Sequence, residues 1–356
     1  MKKKVLFACH GIGNGGAERV LLTLANNFAV RGYNVTILTT NEAHNDYEIN
    51  SAINRIIITP KHTFAIARIL NRLWQIRKTV KLIKPDTIIS FSANINVQML
   101  VANIGLDIRT IISERTDPTR YPESAIGRKV RNLAYLLANH IVFQTEDARS
   151  YFSGKIKKNS SIIHNPICIN IPVGISSQKE NLIIGVGSLG GQKNWKLALS
   201  AFSLFVKEHP RYIFEIYGEG PLRSELEYQI NSDQNLRNKV FLKGFCQNIV
   251  ERFKCSNIYV SSSIFEGISN SMLEALALGV PVICTDCPVG GARMFIKNNN
   301  NGILVPMNDV TAMYKAMSKY VDDPLFADFV STNSVKIRKE LAVNKIVDKW
   351  VSLLNR

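Results

Sequence analysis

The stretch 261–286, SSSIFEGISNSMLEALALGVPVICTD, holds two glutamates eight positions apart, Glu266 and Glu274. The run NIYVSSS reads as a strand, FEG as a glycine turn and SMLEALALG as a short helix, and PVICTD reads as another strand. Strand, loop, helix and strand in that order make the repeating unit of a parallel sheet, so this stretch sets the fold class. It also poses a chemical choice. Two carboxylates near one turn serve as an acid/base pair, as clamps on a hydroxyl-rich ligand, or as a helix cap beside a bystander. Ser271-x-x-Glu274 has the form of a capping box, and Gly279 with Pro281 ends the helix. Capping therefore accounts for Glu274 but not for Glu266, which follows a strand where α/β sheets place ligands. Retaining glycosidases hold their carboxylates about 5–5.5 Å apart. Eight helical residues span about 12 Å. Separate roles on one ligand fit better, with the backbone amides of 267–271 on its phosphates.

The same alternation extends outward. NLIIGVGSL, YIFEIYG and KVFLKG read as strands, and NWKLALSAFSLFVKEHP and PLRSELEYQI as helices. The first half repeats the pattern with KKVLFACH, NVTILTT, INRIIITP, PDTIISFS, RTIISE and HIVFQT. Helical segments lie between them, one running from His62 to about Ile83. Continuous apolar runs between helices imply parallel sheets covered on both faces. The segment 165–182 breaks the period and reads as a linker. Two doubly wound halves are expected, with a ligand cleft between them and domain closure as the motion.

Hydrophobic residues make up 46% of the 356, enough for packed cores, and no run approaches the ~20 apolar residues of a membrane span. The N-terminal MKKKVLFACHG reads as a strand rather than a signal peptide, so a cytoplasmic protein is expected. The six cysteines do not form a disulfide framework. Cys284 and Cys287 make a C-x-x-C, but Pro288 and a glycine pair follow where a redox motif starts a helix. The net charge is +16, and residues 1–172 carry most of it, with 23 Lys/Arg against 11 Asp/Glu. Nucleic acid, anionic lipid or a phosphorylated substrate would suit such a charge.

Gly11, Gly13, Gly15 and Gly16 lie between the first strand and first helix. Their spacing departs from G-x-G-x-x-G, and only Glu42 stands where a ribose-binding acid would, so a dinucleotide site fits poorly. Gly187, Ser188, Gly190 and Gly191 precede Lys193 at a helix start, an arrangement suited to a diphosphate. Gly218 and Gly220 form a second glycine turn before Pro221.

These motifs together resemble family 4 retaining glycosyltransferases of the GT-B fold. FEGISNSMLEALALGVPVICTD is similar to their E-x7-E block, GVGSLGGQKNW to their diphosphate loop and YGEGPLRSELE to their G-x-G-P turn. GNGGAER is similar to their N-terminal glycine loop. IISERTDP resembles the acceptor segment of members that build bacterial surface polysaccharides. The blocks run from residue 11 to about 306. The resemblance implies two Rossmann-like domains facing each other across a cleft: an acceptor domain at 1–170, with a helix at about 341–356 packing back on it, and a nucleotide-sugar donor domain at 171–340. It assigns Glu266 to the donor sugar, Glu274 to the ribose and Lys193 to the diphosphate. The backbone at Gly267, Ile268, Ser269, Asn270 and Ser271 would meet phosphate and hexose. Ser188, Gly218 and Lys243 complete the donor set, and Gly16 would approach the diphosphate from the other domain. Gly15, Glu18, Glu114 and Arg115 belong to the acceptor side, Arg115 being counted with Lys193 and Glu266 as catalytic.

Two positions depart from the family pattern: Ser188 stands where an arginine is usual, and Arg115 where many members have histidine. The implied reaction transfers a sugar, UDP-GalNAc or UDP-Gal being the expected donor, to a polyprenyl-diphosphate-linked glycan in O-antigen, capsule or related lipopolysaccharide-type synthesis. No Asp-x-Asp triplet is present, so no divalent metal or other cofactor is expected. The alternatives are another GT-B enzyme such as a UDP-sugar 2-epimerase, or a non-catalytic nucleotide-sugar sensor, for which Ser188 argues. No zinc-finger or RNA-recognition signature accompanies the charge, so nucleic acid is not expected as a partner.

Residues 61–84 carry seven Lys/Arg and no acid. An apolar stripe of Phe64, Ala67, Ile69, Leu70, Leu73, Trp74, Ile76, Val80 and Leu82 runs at helical spacing. The stripe is expected to pack on the sheet. Arg68, Arg72, Arg77 and Lys81 are then expected to face the anionic inner surface of the cytoplasmic membrane, making the protein peripheral there.

Overall fold

The computed structural model describes residues 2–13, 15–41, 47–59, 64–169, 179–246 and 248–354. The chain divides into two compact units, Met1–Cys168 with Val343–Arg356, and Ile169–Ala342. Lys61, His62, Glu42 and residues 170–178, half of the expected linker, lie outside the described residues.

In the first unit the strands are β1 (Lys4–Cys9), β2 (Asn34–Thr39), β3 (Asn54–Ile57), β4 (Thr87–Phe91), β5 (Arg109–Ser113), β6 (His140–Phe143) and β7 (Ser160–Ile162). The helices are α1 (Gly16–Val30), α2 (Ala65–Ile83), α3 (Ala93–Ala102), α4 (Ala125–Tyr135), α5 (Glu146–Ser150) and α6 (Gly154–Lys158). The sheet order is β3-β2-β1-β4-β5-β6-β7, and every pairing is parallel. Strand order reverses between β1 and β4, which places a switch point beside the glycine loop.

In the second unit the strands are β8 (Leu182–Val186), β9 (Ile213–Tyr217), β10 (Val240–Gly244), β11 (Ile258–Ser261), β12 (Val282–Thr285) and β13 (Ile303–Val305). Helices α7 (Trp195–Glu208), α8 (Arg223–Ser232), α9 (Ile249–Cys255) and α10 (Asn270–Leu278) come first in the chain. They are followed by α11 (Gly291–Phe295), α12 (Val310–Asp322), α13 (Pro324–Ser334) and α14 (Ile337–Glu340). The order is β10-β9-β8-β11-β12-β13, again parallel, with its reversal between β8 and β11. Phe202, Phe205, Phe214, Ile216 and Met317 form the centre of a core between α7, α12 and the sheet. Trp195 closes over Gly185, where a Cβ would stand 2.6 Å from the indole ring.

The last helix, α15 (Val343–Leu353), belongs to the first unit and packs on α1. Arg31 pairs with Asp348 at 2.5 Å, and Arg109 Nε donates to the Leu353 carbonyl at 3.1 Å. Trp350 is fully buried, its ring 5.7 Å from that of Phe91.

Helix α2 corrects the expectation made for its stripe. Ile76 and Val80 are buried against the sheet, with Leu73 beside them. Phe64, Ile69, Leu70, Trp74 and Leu82 are exposed. Nineteen helical residues span about 28 Å, whereas the five-residue strand β4 spans about 17 Å. The N-terminal half of α2 therefore extends past the sheet that would cover it. Arg77 also faces inward, donating to the carbonyls of Ala102 and Ile104 at 2.7 and 2.8 Å.

Candidate active site

Lys193 and Glu266 come from the loops after β8 and β11, on either side of the second unit's switch point. Lys193 ends a 3-10 turn, Gly191–Lys193, and Asn194 in the left-handed region (φ +47°) leads into α7. Its side chain crosses Gly187, where a Cβ would stand 2.7 Å from Lys193 Cε. Lys193 Nζ forms an ion pair with Glu266 Oε2, which also accepts the Ser263 hydroxyl at 3.1 Å. The two side chains keep 13% and 21% of their surface exposed, so the pair is shielded yet reachable.

The loop bearing Glu266 is held from both sides. Ile264 N–H donates to the Gln192 carbonyl at 2.9 Å, Gln192 Nε2 to the Phe265 carbonyl at 2.9 Å, and Ser262 Oγ to the Lys193 carbonyl at 2.7 Å. Opposite, Glu266 N–H donates to the Pro288 carbonyl at 2.6 Å, and Val289 N–H to the Glu266 carbonyl at 3.1 Å. Gly291 comes so close that a Cβ there would lie 1.7 Å from the Gly267 carbonyl oxygen. Gly187 and Gln192 belong to the glycine loop that the sequence reading gives to a diphosphate, whereas Ser263 and Gly291 are parts of the site that it left out. The doubled glycine of PVGG was the signal for the last of them.

Helix α10 begins at Asn270, and its N-cap is Ser269, whose Oγ accepts from Met272 N–H at 3.4 Å. Ser271 is already helical, and its hydroxyl meets those of Tyr259 and Ser269 at 2.8 and 3.0 Å. The capping-box reading of Ser271 and Glu274 is therefore corrected. Glu274 lies in the second turn, beyond the orphan amides of the first, and is 1% exposed. Ile268 and Gly267 lie in the buried part of the loop that enters the helix.

Ser188 is exposed, and its carbonyl accepts the Trp195 indole N–H at 3.0 Å. Gly218 has φ +148°, and a Cβ there would lie 2.0 Å from the Gly187 carbonyl oxygen, so its role is the close crossing of two loops. Lys243 is placed elsewhere. On the edge strand β10 its Nζ lies 3.9 Å from Glu215, a buried carboxylate that also accepts from Arg252 and Tyr217. The structure does not bring it to the Lys193–Glu266 pair. Cys284 and Cys287 are free and buried, and burial pushes the Cys287 thiol up to about 11, away from reactive thiolate character.

In the first unit, α1 starts at Gly16 with Gly15 as its cap. The Glu18 carboxylate folds back over Gly15, where a Cβ would stand 1.8 Å from Oε2. The anion at this helix end is the protein's own, and burial raises its carboxyl above the usual range. Glu114 and Arg115 follow β5. Glu114 is 1% exposed; its Oε1 accepts Arg115 N–H at 3.1 Å and the Thr116 hydroxyl at 3.2 Å, and its Oε2 accepts the Tyr135 hydroxyl at 2.7 Å. Glu114 therefore shapes its own loop. Arg131, fully buried, completes that support by donating to the carbonyls of Pro118 and Tyr121. Arg115 lies with its guanidinium 3.9 Å from the Phe91 ring centroid and donates to Asn165 at 2.5 Å. Among the described residues its Nε and Nη2 have no hydrogen-bond partner, and burial lowers its pKa to about 9. Phe91 is backed in turn by Trp350, so α15 underpins this arginine.

Among the described residues no group of three His, Cys, Asp or Glu side chains is placed to hold a metal ion. No described helix is long and apolar enough to cross a membrane.

Residues 14–170 match the family model Glycosyltransferase Family 4, and residues 170–337 match Glycosyl transferases group 1. A Campylobacter jejuni GalNAc-alpha-(1->4)-GalNAc-alpha-(1->3)-diNAcBac-PP-undecaprenol alpha-1,4-N-acetyl-D-galactosaminyltransferase is 28% identical over 99% of this chain and 98% of its own. An Escherichia coli UDP-Gal:alpha-D-GlcNAc-diphosphoundecaprenol alpha-1,3-galactosyltransferase is 30% identical over 46% of this chain and 42% of its own. Among solved structures, Anabaena HepE in complex with UDP and glucose superposes with a TM-score of 0.84 at 16% identity, covering 99% of both chains. A TarM variant from S. aureus in complex with UDP gives 0.84 at 15% identity, covering 99% of this chain and all of its own. With both family models matched in order, the strand orders of two Rossmann-like units and these fold neighbours, the chain belongs to Glycosyltransferase Family 4 and is a hexosyltransferase of the GT-B fold.

Proposed function

We propose that the protein moves a hexose from a nucleotide diphosphate sugar to a polyprenyl-diphosphate-linked glycan, with retention at the anomeric carbon. The observation that carries this reading is the Lys193–Glu266 pair at the switch point between β8 and β11. A donor diphosphate competes with Glu266 for the Lys193 ammonium. The carboxylate so released accepts hydrogen bonds from the sugar hydroxyls, and Glu274 takes the ribose. Lys193 and the N-terminus of α10 stabilise the departing diphosphate, a task that needs no metal in this reading. Arg115 supplies positive charge on the acceptor side.

UDP-GalNAc or UDP-Gal is the proposed donor, supported by the names of the relatives, two of them N-acetylgalactosaminyltransferases and one a galactosyltransferase acting on undecaprenol-linked glycans. The proposed setting is surface-polysaccharide synthesis at the inner face of the cytoplasmic membrane, with the exposed Arg68, Lys78 and Lys81 of α2 toward anionic lipid.

The test is to incubate the purified protein with a panel of nucleotide sugars and a short-chain polyprenyl-diphosphate glycan. Mass spectrometry identifies the product and NMR its anomeric configuration. Sugar on the lipid with retained configuration is expected. A free epimer, or nucleotide-sugar binding without product from any member of the panel, would give the site to an epimerase or a sensor instead.

A further inference from the structure

Helix α4 is built inside out. Its buried residues are Arg131, Ala134 and Tyr135, whereas Ile126, Val130 and Leu133 are 76%, 48% and 67% exposed. At about 100° per residue these three fall within an arc of ~60°. Leu137, in the turn that follows, continues the line and is 50% exposed. The inversion has a cause: Arg131 must face inward to reach the Pro118 and Tyr121 carbonyls, which turns the apolar side out. Helix α3 lies between α4 and α2, packing against both. On the far side of α3, α2 exposes Leu70 and Trp74.

We propose that the exposed apolar face of α4 inserts among the acyl chains of an anionic bilayer, with the α2 face beside it. This inference rests on the membrane reading above and goes past it, since charge alone would leave the apolar side chains in water. The occupant follows from the composition of the surface. Neither α2 nor α4 contains an acidic residue, while Lys129 on α4 and Arg68, Lys78 and Lys81 on α2 border the apolar side chains. Two copies docking through this face would bring like charges together, whereas lipid phosphates neutralise them. Both helices start at the carboxyl ends of their preceding strands, the same end that carries the glycine loop and the Arg115 loop. Insertion there brings the headgroup layer to the acceptor side of the unit.

The experiment is sedimentation with vesicles of phosphatidylglycerol and phosphatidylethanolamine, at low and at high salt. The full chain is compared with Ile126→Gln/Val130→Gln/Leu133→Gln and with Arg68→Gln/Lys78→Gln/Lys81→Gln. All six positions are solvent-facing, and thermal melts verify folding. The wild type is expected to bind at low salt and to keep a salt-resistant fraction. The α4 variant should lose that fraction by about tenfold or more, and the α2 variant should lose mainly the salt-sensitive part. Salt-resistant binding unchanged in the α4 variant overturns the inference and leaves the electrostatic reading standing. Absence of wild-type binding at low salt removes both, while transfer to a water-soluble acceptor, assayed in parallel, reports on the enzyme reading alone. A vesicle-free dimer that the α4 substitutions dissociate also overturns it, because the occupant is then a second copy.

Discussion

Tyr135 donates its hydroxyl to Glu114 Oε2 at 2.7 Å, and both side chains are sealed from water. The bond ties α4 to the loop after β5. Burial outweighs the surrounding donors and holds the Glu114 carboxyl above its ordinary 4.5. The folded protein thus binds this proton more tightly than the unfolded chain does. The resulting contribution to stability is fully present below about pH 4.5 and is lost as pH rises through the folded value. Glu114→Gln should flatten that decline in urea titrations run across pH, and an unchanged slope would contradict it. Tyr135→Phe should cost about 1–3 kcal/mol at pH 7 by leaving a buried acceptor without its donor.

Removing the charge of Glu266 frees Lys193. Glu266→Gln should bind UDP as tightly as the wild type or more so, while turnover falls about a hundredfold or further. Lys193→Ala should weaken UDP binding by at least about tenfold, roughly 1.4 kcal/mol. Calorimetric titration measures both, and equal losses of UDP affinity in the two variants would count against competition between Glu266 and the diphosphate.

A methyl group at position 291 cannot fit against the Gly267 carbonyl. Gly291→Ala should shift the loop carrying Glu266 and lower kcat/KM by about 10²-fold, the scale expected for a misplacement of an ångström. Far-UV circular dichroism should remain that of the wild type, and normal activity in this variant would show that the loop position is not critical.

Capping and ligand binding are separable on α10. Ser269→Ala should cost about 0.5–2 kcal/mol of stability as the loss of an N-cap. Glu274→Gln should weaken nucleotide binding, and a variant that keeps full nucleotide affinity would remove Glu274 from the ribose.

Turnover should survive exhaustive chelation, since Lys193 and the α10 N-terminus are proposed to carry the diphosphate charge. Activity lost to chelator and restored by magnesium or manganese would refute this.

The parallel sheets were legible because buried strands on both faces of a sheet leave continuous apolar runs between helices, and LIIGV, IFEIY and IYVS are of that kind. Glu266 and Lys193 were legible because each follows such a run at a glycine turn. Their mutual ion pair was not, since it depends on which strands become neighbours. Periodicity misread α2. It reports that a side of the helix is apolar, and it is silent on what lies opposite. The length of α2 against β4 decides the case. The capping box was misread through one local choice, because Ser269 rather than Ser271 takes the cap and sets Glu274 two positions further into the helix.

The return of α15 to the first unit governs the order in which the protein can be made. Trp350 and its neighbours fill space beside Phe91 and α1, yet they are translated only after all of residues 169–342. At roughly 5–20 residues per second, the ribosome leaves that core open for about ten seconds or more. During this interval the second unit can close on its own contiguous segment, while the first waits with apolar surface uncovered. Chaperone dependence during synthesis should therefore fall on the unit that is begun first and finished last.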